Sequence, residues 1–126
     1  MGEIYPMGMS LDEFFAGFAL SRPLFEVIDA AVVDLGNVER RVTKSQIAFR
    51  RRTGFAWVWI PGRYLAGRGA PLVLSLALSR RDTSPRWKES VEPKPGRFMH
   101  HLELCSLDDI DEEVRGWLQE AWTEAA

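Results

Sequence analysis

Residues 84–104, SPRWKESVEPKPGRFMHHLEL, contain both histidines of the chain and several cations, the side-chain types that most often carry chemistry. A histidine titrates near neutral pH, so His100 and His101 are suited to proton transfer or to metal binding. His101 and Glu103 are two positions apart, which places both on one face of a strand and suits a pair of metal ligands. A metal site needs a third ligand, and no second histidine-rich element occurs. His101 and Glu103 are therefore weak metal candidates, and we expect no cofactor.

Cations in and before this stretch predict a second kind of site, one that binds anions. Arginine presents a planar fork of donors that matches phosphate and carboxylate groups, and tryptophan stacks on rings. Some of these residues come from a long loop, where functional side chains concentrate. The alternative is that the cations are solvated charges and that the tryptophan anchors its loop to the sheet. The candidate ligand-binding residues are Lys44, Arg50, Arg86, Trp87, Lys88 and His100.

Charge is distributed unevenly along the chain, although the net charge is only −2. Residues 1–39 contain seven acidic and one basic side chain, residues 40–97 contain three acidic and fourteen basic, and residues 98–126 contain eight acidic and one basic. Such segregation is typical of an anion-binding surface, and it also arises when acidic helices neutralise basic strands within one domain. We favour neutralisation, because the acidic ends are expected to lie on the basic middle.

Length and composition exclude several classes of protein. The 126 residues suffice for one hydrophobic core. We expect one domain over residues 1–126, with its core in residues 22–125 and a loosely ordered segment at residues 1–9. The apolar runs are shorter than the ~20 residues of a membrane span, and no basic region of a secretory signal opens the chain. Cys105 is the only cysteine, so no internal disulfide forms. We expect a cytoplasmic protein that makes no membrane contact.

Helix caps and apolar spacing predict three helices. A Ser–Glu capping box begins a short helix over residues 11–18. Ser21 is the expected N-cap of a second helix, which ends at Gly36. Ser106 is the expected cap of the closing helix, whose apolar stripe consists of Ile110, Val114, Trp117, Leu118 and Ala121.

Apolar residues recur at every second position between the helices, as in strands. The segments SQIAFR, FAWVWIP, LVLSLALS and RFMHHLEL each predict a strand. Residues 80–96 contain three prolines and predict an irregular loop. In the last strand His100 is expected to face the core and His101 the opposite side. Trp57 and Trp59 share one face of an apolar strand, so we expect both to pack in the core.

The order of these elements predicts an α+β fold. Two helices come first, four or five strands follow with short connections, and one helix closes the chain. The sheet should be mainly antiparallel, since no strand–helix–strand alternation occurs. We expect the two N-terminal helices and the C-terminal helix to pack on one side of it.

Four stretches of the chain resemble a known bacterial family. They are RVTKSQIAFRRRTGFAWVW, LSLALSRRDTSPRWKESVEP, GRFMHHLEL and DIDEEVRGWLQEAW. Together they resemble domain of unknown function 5655 over nearly all of residues 24–125, a family without an established activity. More distantly, the element order is similar to that of YdhG-like and YjbR-like small α/β domains. Members of the second group have been described as nucleic-acid-binding by analogy of fold, which implies little about function.

Three functions follow from these residues. The first is a non-catalytic binding or interaction module whose basic surface meets an anionic small molecule or a protein partner, with a homodimer as one arrangement. The second is a nucleic-acid-binding protein, which the two acidic segments oppose unless they lie away from the basic surface. The third is a small enzyme that uses the histidine strand. No nucleophile elbow, phosphate loop or kinase signature is present, so we assign no catalytic residue.

Overall fold

The computed structural model describes residues 9–65 and 69–126. Over these ranges the chain forms three α-helices and six β-strands. The helices are α1 (Leu11–Phe15), α2 (Ser21–Leu35) and α3 (Glu112–Glu124). The strands are β1 (Glu39–Val42), β2 (Ile47–Arg50), β3 (Gly54–Trp59), β4 (Leu72–Leu78), β5 (Glu89–Lys94) and β6 (Arg97–Leu104). The expectation for residues 1–9 falls almost wholly on residues 1–8, which lie outside the described ranges.

The six strands make one sheet in the order β1-β2-β3-β4-β6-β5, and every neighbouring pair is antiparallel. Helix α3 packs on β3 and β4, and α2 packs on β4 and on α3. The predicted α+β class, the antiparallel pairing and the packing of helices on one side are confirmed. None of the helices in the described ranges combines the length and hydropathy that crossing a bilayer requires.

The hydrophobic core lies between the sheet and the helices. The central strand β4 supplies its middle with four leucines, of which at most 2% of the surface is exposed. They are Leu72, Leu74, Leu76 and Leu78. Helix α2 contributes Phe25 and Ile28, and α3 contributes Val114 and Leu118. Each leucine of β4 is two positions from the next, so all four point to the same side, towards the helices.

In residues 9–65 and 69–126 the sheet has six strands, so the expected four or five is an undercount. The missed strands, β1 and β5, are the two edges of the sheet. Their residues are mostly charged and exposed, so neither shows the apolar alternation of a half-buried strand. Pro93 lies in β5 where the register with β6 shifts between Val91 and Lys94. Proline is tolerated at an edge, because one side of an edge strand makes no ladder hydrogen bonds.

Two helix caps and one helix end differ from the predictions. The first helix stops at Phe15 rather than residue 18, and Gly17 follows with a positive φ of 83°. Ser21 is the first residue of α2 rather than its cap, and its hydroxyl donates to the Pro71 carbonyl at 2.6 Å. Ser106 caps a 3₁₀ turn, whereas the side chain of Asp111 caps α3. Polar side chains near a helix start are interchangeable as caps, so spacing alone did not choose between them.

We call the sheet surface that points away from α2 and α3 the open face. Its centre is a row of paired residues that crosses all six strands, one residue from each. From β1 to β5 along the sheet the row is Arg41, Ala48, Trp57, Ser75, His101 and Glu89. A basic side chain therefore stands at one end of the row and an acidic side chain at the other.

Candidate functional site

Two of the predicted ligand-binding residues lie at the β1–β2 end of the sheet. Lys44 is exposed in the turn that joins these strands. Arg50 ends β2 and pairs across the ladder with Glu39. The Arg50 Nε atom is 4.0 Å from the Glu39 carboxylate, and both side chains are mostly exposed. An exposed ion pair at this separation contributes little, so Arg50 remains able to bind an external anion.

Arg86 binds the acidic start of helix α3. Its guanidinium donates to the carboxylates of Asp111 and Glu113, each at 2.9 Å, and to the Asp109 carbonyl at 2.9 Å. The guanidinium in turn holds the pKa of Asp111 below its usual value. Charge-assisted bonds of this kind fix the loop before β5 to the first turn of α3. The charge of Arg86 is thus matched by acids of its own chain.

Trp87 and His100 lie inside the protein, between β6 and α3. The Trp87 ring centroid is 4.2 Å from that of Trp117 in α3 and 4.8 Å from the His100 ring. Its indole N–H donates to the Asp82 carboxylate at 2.8 Å. His100 is completely buried, and its Nε2 accepts from the Asp82 backbone N–H at 2.9 Å. These contacts make Trp87 the anchor of its loop, as one of the two sequence interpretations held.

Burial of His100 predicts a pH dependence of stability. Burial lowers the pKa of His100. The Leu76 and Phe98 carbonyls and the Asp82 charge favour the protonated form, but their combined effect is smaller than that of burial. Above about pH 6.5 the imidazole of His100 is neutral in both the folded and the unfolded protein, so its titration does not lower the free energy of unfolding. As the pH falls below 6.5 the unfolded chain binds the proton first, so the free energy of unfolding decreases, by at most about 1.4 kcal/mol per pH unit. Urea titrations between about pH 7 and pH 5 measure this decrease.

The two histidines supply a matched pair of variants for that measurement. His100→Gln removes the buried imidazole, so its stability should vary much less over the same pH range. His101→Gln should keep the decrease seen in the parent protein. If His101→Gln removes the decrease and His100→Gln keeps it, the assignment to His100 is wrong.

His101 faces the opposite way from His100, as predicted, and takes part in a hydrogen-bonded chain on the open face. The Oγ of Ser75 lies 2.7 Å from His101 Nδ1 and accepts from the Trp59 indole N–H at 3.2 Å. Ser75 is only 3% exposed. A hydroxyl covered in this way is not presented to a substrate, so the pair does not resemble an accessible serine–histidine nucleophile. The chain instead holds the Trp59 ring in place.

Lys88 and Glu103 bind each other on the same face, with 3.3 Å between Nζ and the carboxylate. Within residues 9–65 and 69–126 no three His, Cys, Asp or Glu side chains lie close enough to hold a metal ion. His101 and Glu103 therefore gain no third ligand from the described residues.

The predicted residues do not come together in one site. Arg86, Trp87 and His100 lie on the helix side, while Arg50 and Lys88 lie on the open face. Arg50 is in β2 and His100 is in β6, and these two strands are three strand spacings apart, about 14 Å.

Much of the charge segregation is neutralised by the helices, as we favoured from the sequence. Arg40 in β1 is 2.8 Å from Asp29 of α2, and Arg80 after β4 is 2.7 Å from Glu120 of α3. Arg86 adds its two ion pairs with the start of α3. The acidic helices thus balance the basic residues on their own side of the sheet. The cations on the open face are not within their reach.

Several cations at the β1–β2 edge of the sheet are not neutralised by acidic side chains of the described residues. Within the described parts of the chain, no carboxylate lies within 4.0 Å of Arg41, Lys44 or Arg52, all of which are exposed. Arg51, in the same turn as Arg52, stacks 3.8 Å from the Trp122 ring centroid. With Arg50, these residues give the β1–β2 edge of the sheet an excess of positive charge, with Lys44 at one end of β2 and Arg50, Arg51 and Arg52 at the other.

A groove of about 760 Å³ lies on the open face beside these cations. Arg41 and Arg50 rise from neighbouring strands, and Ala48 lies between Arg41 and Trp57 in the central row. A small residue flanked by two long ones makes a depression with an arginine on one side and an indole on the other. The groove is lined by Arg41, Gln46, Ala48, Arg50, Gly54 and Trp57, and also by Arg40, Thr43 and the acidic Glu39.

Trp57 and Trp59 lie on the open face, half-buried, so the expectation that they pack in the core is wrong. Ala56 and Val58 alternate with them and point to the helices instead, with no exposed surface. Both faces of this strand are apolar in sequence, and alternation identifies two faces without showing which one the helices cover. The available sequence signal for which face the helices cover was residue size, since two large aromatic residues alternate with two smaller residues in this strand.

Gly54 allows the Trp57 ring to lie close to the sheet. A Cβ atom added at Gly54 would be 2.8 Å from Cζ2 of the Trp57 indole, closer than a real Cβ approaches another atom. The missing side chain therefore leaves the space that the ring occupies, and the ring forms one side of the groove. This dependence on glycine fixes where the indole lies.

Comparison with known proteins identifies the family. The profile described as Domain of unknown function (DUF5655) matches residues 11–125. The chain belongs to the DUF5655 family. The match includes every residue of the groove, so the groove is part of the DUF5655 domain itself. Neither a curated protein nor a solved structure matches the chain significantly, and the more distant likeness to YdhG-like and YjbR-like domains has no support here.

Proposed function

We propose that this DUF5655 protein is a binding module that holds an anionic ligand in the groove of its open face. The observation that carries the proposal is the placement of Arg41 and Arg50 across from Trp57. Arg41 has no carboxylate within 4.0 Å among the described residues, and Arg50 has the long contact with Glu39 and one hydrogen bond to the Arg52 carbonyl, at 3.0 Å. Two guanidinium groups in this state bind phosphate or carboxylate oxygens through paired N–H donors.

The contacts of the other candidates support binding rather than catalysis. Arg86 and Trp87 are engaged with helix α3, and His100 is buried beneath them. His101 contacts a buried hydroxyl. An enzyme that uses the histidine strand gains no accessible nucleophile from these contacts. The groove, in contrast, offers donors and an aromatic surface to a ligand from solution.

Replacement of either groove arginine should weaken anion binding. We expect Arg41→Ala and Arg50→Ala each to lower the affinity for inorganic polyphosphate about tenfold, because hydrogen bonds to charged groups contribute about 1.5–3 kcal/mol. Isothermal titration calorimetry at an ionic strength of about 0.1 M measures the change, and added salt should weaken polyphosphate binding by the parent protein as well.

Lys94 is the matched control, since it is an exposed cation on β5 at the far edge of the sheet. Lys94→Ala removes the same charge and should leave the affinity within about twofold, as expected for a charge more than a Debye length from the groove. The proposal is refuted if polyphosphate does not bind, or if all three variants lose affinity equally.

A further inference from the structure

The groove is one part of a longer aromatic surface. Trp59 follows Trp57 on the same face of β3, and Tyr64 lies just beyond the strand with its ring centroid 6.5 Å from that of Trp59. Tyr64 is 57% exposed. The three rings follow the direction of β3 from the groove to the end of the sheet. They offer more aromatic surface than a ligand confined to the groove would use.

The two tryptophans of this surface are held in fixed orientations. The Trp59 N–H donates to Ser75 on the neighbouring strand β4, which ties the indole to that strand. Ser75 is in turn bound to His101 on β6. Trp57 occupies the space over Gly54. Rings fixed before binding lose little rotational freedom when a planar group stacks on them.

The spacing of Trp57 and Trp59 along β3 is longer than the stacking distance of bases. Two positions along a strand correspond to about 6.7 Å between Cα atoms. Successive bases on one strand of duplex DNA are about 3.4 Å apart. Bases that stack on Trp57 and Trp59 must therefore be pulled apart from each other, which an extended single strand permits and a duplex does not.

The charge distribution on the open face favours one side of the aromatic surface for the phosphates of a nucleic-acid strand. Arg41 and Arg50 lie on the β1–β2 side of the aromatic surface together with the Glu39 carboxylate, and Lys44 and Arg52 lie along the same edge of the sheet, so cations outnumber acids there. The opposite side has Glu89 on β5 and Glu103 on β6, and Glu103 already holds Lys88. A phosphate backbone is attracted to the first side and repelled from the second.

We infer that the ligand of the open face is a single-stranded nucleic acid, which runs along β3 with its bases on Trp57 and Trp59 and its phosphates beside Arg41 and Arg50. The inference rests on the proposed anion-binding function and names the ligand class. Arginine–phosphate contacts and base stacking on tryptophan are both independent of base sequence, so binding should tolerate different sequences.

Fluorescence anisotropy with a labelled oligothymidylate of about 15 nucleotides tests the inference, at a length that covers the known range of single-strand site sizes. We expect this probe to bind at least about tenfold more tightly than a duplex of the same length. Trp57→Leu keeps an apolar side chain but loses the ring, and it should weaken oligothymidylate binding about tenfold and polyphosphate binding by a smaller factor, since polyphosphate has no base to stack on the ring. Trp57→Phe keeps a stacking ring and should retain most of the affinity.

The outcomes separate this inference from the proposed function. If polyphosphate binds through Arg41 and Arg50, but oligothymidylate binds no more tightly than the duplex or is insensitive to Trp57→Leu, the nucleic-acid inference fails and anion binding stands. If neither probe binds, or binding ignores Arg41→Ala, both fail. Loss of oligothymidylate binding in Trp57→Phe as severe as in Trp57→Leu would also overturn base stacking. Thermal melts of the variants establish that they are folded.

Discussion

Truncation of the chain before Ile110 is expected to abolish folding. The deleted segment contains α3, whose apolar stripe of Val114, Trp117 and Leu118 is buried against β3 and β4. Each such side chain contributes about 1.5–3 kcal/mol when fully buried, and the total stability of a domain is about 5–15 kcal/mol. Loss of the stripe also exposes the leucines of β4 to water. Circular dichroism and analytical gel filtration should show an unfolded or aggregated chain.

An exposed position on the same helix serves as the control. Gln119 points to solvent, so Gln119→Ala should change the free energy of unfolding by no more than about 0.5 kcal/mol. The helix would not be integral to the fold if the truncated chain remained soluble and melted cooperatively at the temperature of the intact protein.

Trp87→Ala should be among the most destabilising single substitutions. The side chain is 8% exposed, contacts the rings of Trp117 and His100, and binds the Asp82 carboxylate. Removal of a buried tryptophan leaves a cavity and costs about 3–5 kcal/mol. The substitution also removes a hydrogen bond that helps to lower the pKa of Asp82. Urea denaturation followed by circular dichroism measures the loss.

Trp57→Ala is the matched control, because it removes the same side chain from the opposite face of the sheet. Trp57 is half-buried and lies outside the core, so the cost in stability should be clearly smaller than at Trp87. The effect on ligand binding should be the reverse, with Trp57 important and Trp87 not in contact. Equal destabilisation by the two substitutions would contradict the assignment of faces.

Local pattern was sufficient for the class of fold. The capping box at Ser10, the stop at Gly36 and the stripe around Trp117 each involve residues close in sequence, and all three lie in or beside helices of the structure. The leucines of β4 alternate as a central strand requires. Short-range spacing of this kind reports on secondary structure, and the order of elements then restricts the architecture.

The two edge strands could not be predicted from apolar spacing. Within the described residues, strands 39–42 and 89–94 each pair with one neighbouring strand, and most of their side chains are exposed. No apolar alternation is needed where neither side is covered, so the pattern on which strand prediction depends is absent. Proline at 93 strengthened the wrong interpretation, because it excludes a central strand and not an edge strand.

The candidate site shows a similar division. The sequence indicated cations that bind anions, and Arg50 does lie at the groove. It also indicated Arg86, yet the three carboxyl and carbonyl partners of Arg86 come from residues 109–113, more than twenty positions away. Arg41 and Trp57 were not selected, since their adjacency depends on the register of β1, β2 and β3.

By itself the sequence determined which residues share a face of each element, because backbone geometry makes the period of a helix or strand independent of its surroundings. Only the tertiary structure decided which face of β3 the helices cover, since Ala56 and Val58 or Trp57 and Trp59 are both apolar enough to be buried. The core is close-packed, and the small pair leaves room for the side chains of α3 where the indoles would not. The tryptophans were thereby left on the surface beside Arg41 and Arg50, where the proposed site lies.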